Sequence, residues 1–244
     1  MDPLTVAAAS GMQSRMQSLD LLANNLANAA TSGFKSDREF YGLFSSEDAS
    51  GQAPGSGLPV IERQWTDFSQ GTLQPTGSPL DVALAGPGFL TVNGPKGVLY
   101  TRNGSLQLSS SGDLITSDGY TVRSVGGGPI RASFGKPIDI STDGTVSQGG
   151  SAIGQLELVD FKSTDSLKKL SGASFENSDP KNQPMAATNV EVQQGKIESS
   201  NVAVPEAAMR LVGMMRQFEM LQKAVTMGVE MNSKAIQEVA RVGS

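Results

Sequence analysis

Residues 80–124 read LDVALAGPGFLTVNGPKGVLYTRNGSLQLSSSGDLITSDGYTVRS. Short runs rich in Val, Ile, Leu and Thr recur through it: LDVAL (80–84), GFLTV (88–92), VLYTR (98–102), SLQLS (105–109), DLITS (113–117) and YTVRS (120–124). Asn103-Gly104, Ser111-Gly112 and Asp118-Gly119 punctuate them, and such dipeptides suit tight hairpin turns. Downstream, PIDIS (137–141), GTVSQ (144–148) and GQLELVDF (154–161) continue the pattern, with Asp143-Gly144 as another turn signal. Apolar and polar residues alternate in SLQLS and GQLELV, as strands with one buried face require. Closely spaced strands with no intervening helical pattern predict an all-β module over about residues 66–198.

Outward from that module the pattern changes at both ends. Residues 4–30 lack proline and carry Ala9, Met12, Met16, Leu19, Ala23, Leu26 and Ala30 at alternating steps of three and four. That spacing is a heptad seam. Pro3 suits a first helical turn, and Gly33 is read as the left-handed cap of a helix over 1–33. In 199–244 a second seam runs through Leu211, Met215, Phe218, Gln222, Val225, Val229, Asn232, Ile236 and Val239. Met214, Leu221, Ala224, Met231 and Ala235 widen its apolar face beyond the need of a two-stranded coil. The predicted fold class is α+β: N- and C-terminal helices form a coiled-coil-like layer beside a central all-β domain. Residues 34–65 are read as a flexible linker, because SSEDASGQAPGSGLPVIERQW (45–65) holds few apolar anchors.

Composition narrows the function. The 244 residues include no cysteine and no histidine. Disulfides, thiolate metal sites and cysteine nucleophiles are excluded, and the commonest general base is missing. A net charge of −5 without a Lys/Arg cluster argues against nucleic acid. The N-terminus has no basic region ahead of an apolar run, so it does not read as a secretory signal. No stretch approaches the ~18 apolar residues of a membrane span. Asp113, Asp118 and Asp143 are read as turn residues, since no calcium-loop pattern surrounds them.

Particular residues carry a resemblance. Leu22-Ala23-Asn24-Asn25-Leu26-Ala27-Asn28, followed by Thr31-Ser32-Gly33-Phe34-Lys35, resembles the N-terminal signature of the flagellar rod, hook and hook-associated family. Ser200-Asn201-Val202 ahead of Pro205-Glu206, then Arg216-Gln217-Phe218-Glu219, is similar to the family's C-terminal motif. Phe218 stands where many members carry tyrosine. Leu80-Asp81-Val82-Ala83-Leu84, Gly88-Phe89-Leu90, Tyr100-Thr101-Arg102-Asn103-Gly104-Ser105 and Gly119-Tyr120 are similar to the β module that rod and hook proteins share. The region from Gly126-Gly127-Gly128-Pro129-Ile130 to Val159 is most like a proximal rod subunit, with the distal rod subunit as the alternative.

The resemblance implies a structural subunit of the bacterial flagellar basal body, in the rod that spans the periplasm and transmits torque for motility. It implies no catalysis, cofactor, metal or small-molecule substrate, and no direct membrane insertion. Its partners would be other rod subunits and copies of itself, with the type III export gate met in transit. The assembly residues it marks are Asn24, Asn25, Leu26, Asn28, Gly33, Phe34, Asn201, Val202 and Phe218. Asn is a mediocre helix former, so the cluster Asn24, Asn25 and Asn28 needs a reason. It is either a solvent-facing helix end or a polar register device beside a packed seam. Phe40 and Phe44 match the Phe-x-x-x-Phe spacing of an export-gate element within 34–65. Read as a helical turn they share one side; alternatively, they pack on the β domain.

Overall fold

The computed structural model describes residues 3–44 and 58–242. The chain forms an N-terminal helix, α1 (Pro3–Ala27), a β-rich middle and a C-terminal helix, α2 (Val204–Val242). It divides into two units. One holds α1, the residues from Asp37 to Trp65 and α2; the other holds Asn28–Ser36 and Thr66–Val202. Among the described residues no helix is long and apolar enough to cross a membrane.

The β unit is antiparallel. Its main sheet runs, edge to edge, Leu167–Ser171, Ser174–Asn177, Gly97–Thr101, Phe89–Gly94, Thr121–Val122, Leu114–Thr116 and Leu106–Leu108. Leu158–Asp160 also joins Phe89–Gly94, with Leu158 opposite Leu90. A three-stranded sheet comprises Ile138–Ile140, Thr145–Gln148 and Ser151–Gln155. Two further pairs return the chain: Glu191–Gln194 on Val82–Ala85, and Lys196–Glu198 on Leu73–Pro75. Alternation places one side of some strands inward, as in Ile138 and Ile140, or Val146 and Gln148, whereas residues 82–84 and 89–92 are buried on both faces. The larger core gathers Val82, Leu90, Val92, Leu114, Val122, Ile130, Val146 and Leu156. A second is aromatic: Phe89, Tyr100, Phe161 and Phe175, with Phe68 packed against it through edge and tilted ring contacts.

Several expectations need correction here. Gly112, Gly119 and Gly144 do sit at positive φ in hairpin turns. Asn103-Gly104 does not make a hairpin, because the strands on either side of it lie far apart in the sheet order. Gly104 instead passes against the Val82 backbone, where a Cβ would collide with the Val82 carbonyl, and its own carbonyl accepts from Val82 N at 2.9 Å. GQLELVDF is not one strand: the chain leaves one sheet at Gln155 and enters another at Leu158.

In the helical unit, α1 stops at Ala27 rather than at residue 33. Asn28 O accepts from Thr31 N at 3.0 Å, and Asn28 Oδ1 accepts from Thr31 Oγ1 at 3.3 Å. Such local bonds compete with helix continuation. The expected linker 34–65 contains two paired strands, Asp37–Phe44 and Leu58–Thr66. The Arg38 guanidinium lies 5.7 Å from the Trp65 ring centre on this ribbon. Phe40 to Phe44 is therefore strand and not a helical turn, although positions four apart still share a strand face.

The helices pack on each other, on α1 along a different row from the one read from the sequence, and on α2 along a row that keeps Leu211, Phe218 and Val225 of the seam with Met214 and Leu221 of its wider face. On α1 the buried positions are Ser14, Ser18, Leu22 and Asn25. Met16 and Ala23 are exposed, and Met12, Leu19 and Leu26 are half-buried. At ~100° per residue, that apolar row lies on the far side of the helix from Ser14 and Ser18. Serine reads as polar in sequence, yet Ser18 Oγ satisfies itself by donating to Ser14 O at 3.1 Å. Small side chains then allow close helix approach. On α2 the least exposed row is Ala207, Leu211, Met214, Phe218, Leu221, Val225 and Gly228. Met215, Gln222 and Val229, expected in the seam, are exposed. The side chains of Asn232, Ile236 and Val239 lie outside the described residues.

Candidate functional site

The residues of the two terminal motifs fall into three settings. The first is a joint in the helical unit. Asn25 Nδ2 donates to Asp37 O at 2.7 Å, and Asp37 N donates to Asn25 Oδ1 at 2.9 Å. One side-chain amide thus serves both backbone groups of the first ribbon residue, as a neighbouring strand would. Asn fits because it carries a donor and an acceptor on a short stem. This buried role is not that of a solvent-facing helix end. Asn24 stays on the exposed side of α1, and Leu26 is half-buried.

The second setting is a clasp inside the β unit. Gly33, Phe34, Lys35 and Ser36 are all buried. Gly33 has φ +69°, and a Cβ there would collide with the backbone of Arg102 and Asn103. Its left-handed conformation serves this close approach, six residues beyond the end of α1, and is not a helix cap. Gly33 N donates to Glu198 O at 2.7 Å. Asn201 closes the other side. Its Oδ1 accepts from Ser36 N at 2.7 Å, and its Nδ2 donates to Asp67 O at 2.7 Å and Ser69 Oγ at 3.1 Å. Val202 is half-buried beside it.

At the centre of the clasp lie three charges that sequence reasoning did not bring together. Glu198 is fully buried and binds Lys35 Nζ through Oε1 and Arg102 Nη1 through Oε2, the latter at 3.2 Å. Oε1 also accepts from Gly71 N at 2.8 Å. Lys35 Nζ donates to Ser69 O at 2.8 Å, and Arg102 donates to Leu84 O and Gly86 O. Two cations face one carboxylate, so backbone carbonyls complement the excess positive charge. Desolvation pushes the Lys35 ammonium below the usual lysine range, against the pull of Glu198. Burial lowers Arg102 as well, while Glu198 again opposes. Lys169 adds a lid: its Nζ donates to Lys35 O at 2.7 Å and stands 4.1 Å from the Phe34 ring centre. Lys35 and Arg102 each lie in a stretch that carries the family resemblance, but Glu198 lies in none, and no local pattern pairs the three because they are distant in the chain.

The third setting is the outer surface of the helical unit. Phe218 sits half-buried in the row α2 turns inward. Phe40 is 62 % exposed on the ribbon; the Phe44 side chain lies outside the described residues. Met209, Val212, Met215, Met220, Met227, Val229 and Met231 of α2 are exposed, as is Met16 of α1.

The clasp joins residues of both terminal motifs, and family models match the same regions. A flagella basal body rod protein model matches residues 7–35, and a flagellar basal body rod FlgEFG protein C-terminal model matches 193–238. A flagellar hook protein FlgE/F/G D1 domain model matches 83–148. The chain is 31 % identical to the flagellar basal-body rod protein FlgG of Buchnera aphidicola subsp. Schizaphis graminum over 258 residues, covering 93 % of this chain and 96 % of the relative. The chain belongs to the flagellar basal-body rod protein family.

Other rod proteins of the family align over similar lengths. FlgF of Salmonella typhimurium is 33 % identical over 239 residues, covering 88 % of this chain and 89 % of that protein. FlgF of Caulobacter vibrioides is 28 % identical over 246 residues, covering 99 % and 100 %. This rod protein is a structural subunit located in the flagellar basal body, and it assembles with other rod subunits. No catalytic function is indicated for it.

Proposed function

We propose that this subunit occupies the proximal rod and assembles through the outward faces of α1 and α2. The observation that carries the reading is the surface left over after the helices pair. Met16 on α1 and Met209, Met220, Met227 and Met231 on α2 remain exposed although the inward rows of both helices are already occupied. Exposed apolar surface of this extent on terminal helices marks a contact with other chains. Neighbouring subunits cover both faces, and the helices together form a coiled-coil-like layer around the rod axis. A contact between unlike faces of successive subunits does not close, so it propagates as a tube. The β units stiffen that tube, and the rod transmits torque.

The stretch from Gly126 to Val159, which resembles that of a proximal rod subunit, supports the proximal position over the distal one. The chain reaches the rod through the type III export gate, with Phe40 and Phe44 as its gate-binding pair; the exposure of Phe40 leaves it available for that contact. Asn24, Asn25, Leu26 and Asn28 act by fixing how the ribbon leaves α1, which sets the register of the helix against its neighbours.

The test is complementation of a strain lacking this protein. The full chain should restore the rod and swimming, and a chain ending at Val202 should be secreted but absent from purified basal bodies. Incorporation of the truncated chain would refute assembly through α2. Electron tomography of a tagged subunit should place it at the cell-proximal end of the rod. Density at the hook end would assign it to the distal rod. Phe40→Ala should reduce export, and unimpaired secretion would remove the gate role.

A further inference from the structure

We infer that the exposed face of α2 is a methionine-oxidation site, and that peroxide acting on it controls whether the subunit can enter an assembly. The inference rests on the proposed use of that face for subunit contact.

The chain has ten methionines and no cysteine, and six of the ten lie in α2. Met209, Met220, Met227 and Met231 are spaced by eleven, seven and four residues. At about 100° per residue, this spacing holds all four within about 40° of one line along the helix. Their exposures are 70 %, 61 %, 62 % and 70 %. The line faces away from the inward row of Leu211, Met214, Phe218 and Leu221. Met214 provides an internal contrast: it is half-buried, and its Sδ accepts from Arg15 Nη1 at 3.5 Å. A lone pair engaged in that bond and shielded by packing is a poorer nucleophile toward an oxidant. With no thiol in the chain to react first, these four thioethers are the most exposed soft nucleophiles among the described residues.

The chemistry is a two-electron oxygen transfer. A methionine sulfur attacks one oxygen of hydrogen peroxide, the O–O bond breaks, and the other oxygen leaves as water after taking up the proton. Sulfur is oxidised by two electrons and peroxide is reduced by two. A dithiol reductant reverses the step: the sulfoxide oxygen departs as water and the dithiol becomes a disulfide. Oxidation converts a flexible apolar side chain into a polar one. Exposed Arg216 and Lys223 share that line, so the four thioethers are its apolar part, and four such changes leave the line polar throughout. A neighbouring helix packed on it would have to bury sulfoxide dipoles, which opposes association.

The experiment uses the purified full chain and the complemented strain. Graded hydrogen peroxide followed by peptide mass mapping should show sulfoxide at Met209, Met220, Met227 and Met231 well before Met214, and methionine sulfoxide reductases should restore the thioethers. Equal rates at Met214 would overturn the site. In cells, replacing all four methionines with Leu should preserve incorporation into basal bodies, whereas replacing all four with Gln, a polar mimic of the sulfoxide, should reduce it by about tenfold or more. Met220→Arg separates the two ideas. If Arg blocks incorporation and the Gln variant assembles normally, the oxidation inference fails and the contact face stands. If Met220→Arg also assembles normally, the face is not a contact and both fail.

Discussion

The helical unit and the β unit use the same chain in opposite ways. In the β unit apolar side chains fill two cores and buried charges close on each other around Glu198, with Val125 and Phe134 left outside. The helical unit leaves apolar rows on both helices facing outward and buries serine on α1. The contrast separates a scaffold closed within one chain from the surface proposed above for contact with another. It also explains why the terminal motifs contain both kinds of residue. Gly33, Phe34 and Asn201 belong to the closed unit, while Asn25 and Phe218 belong to the open one.

That contrast can be broken most sharply at Glu198. Glu198→Gln leaves Lys35 and Arg102 buried without their carboxylate, and loss of one partner of such a network costs about 3–5 kcal/mol. Urea unfolding followed by circular dichroism should show the β signal lost early, while helical signal survives to higher denaturant. Simultaneous loss would mean that the two units are not independent. Next comes Gly33→Ala. The left-handed conformation alone costs about 1–2 kcal/mol for a residue with a Cβ, and the collision with the Arg102 backbone adds to it. Melting temperature checks this, and an unchanged value would deny the close approach.

Asn25→Ala tests the other unit. Removing both bonds to Asp37 should cost about 1–2 kcal/mol and accelerate hydrogen exchange at the Asp37 amide, with the β amides unaffected. Smallest is the pH dependence of two β turns. Bonds from Ser111 and then Arg131 hold Asp113 below the usual carboxylate range, and the Thr145 amide and hydroxyl do the same for Asp143. Each carboxylate is therefore easier to protonate in the unfolded chain than in the folded one. The stability they contribute is fully present above the ordinary carboxylate pKa of about 3.9 and is lost as pH falls through the folded value. Asn at both positions should flatten the stability profile in that acid window. A profile identical to that of the parent chain would refute the assignment.

Much of the β unit was legible because strand pattern and turn chemistry are local. Ile138, Ile140 and Val146 alternate with polar neighbours, and Gly112, Gly119 and Gly144 mark real hairpins. Asn103-Gly104 misled because the same dipeptide that suits a hairpin also suits a close backbone crossing. The terminal helices were legible as helices, and Leu211, Phe218 and Val225 of the α2 seam do lie in its inward row. The rotation of α1 was not legible, because its buried row also recurs every three or four residues but holds Ser14, Ser18 and Asn25, which read as polar.

The amino-acid sequence by itself determined the order helix, β module, helix, and its terminal motifs pointed to the flagellar rod family. These features depend on residue type at short spacing. Only the tertiary structure decided which helix rows turn inward, that Asn25 completes the backbone of Asp37, and that Lys35, Arg102 and Glu198 form one network. Residues 35 and 198 are 163 positions apart, and no local propensity records such a pairing. Desolvation and charge complementarity act only once the chain has brought those groups together.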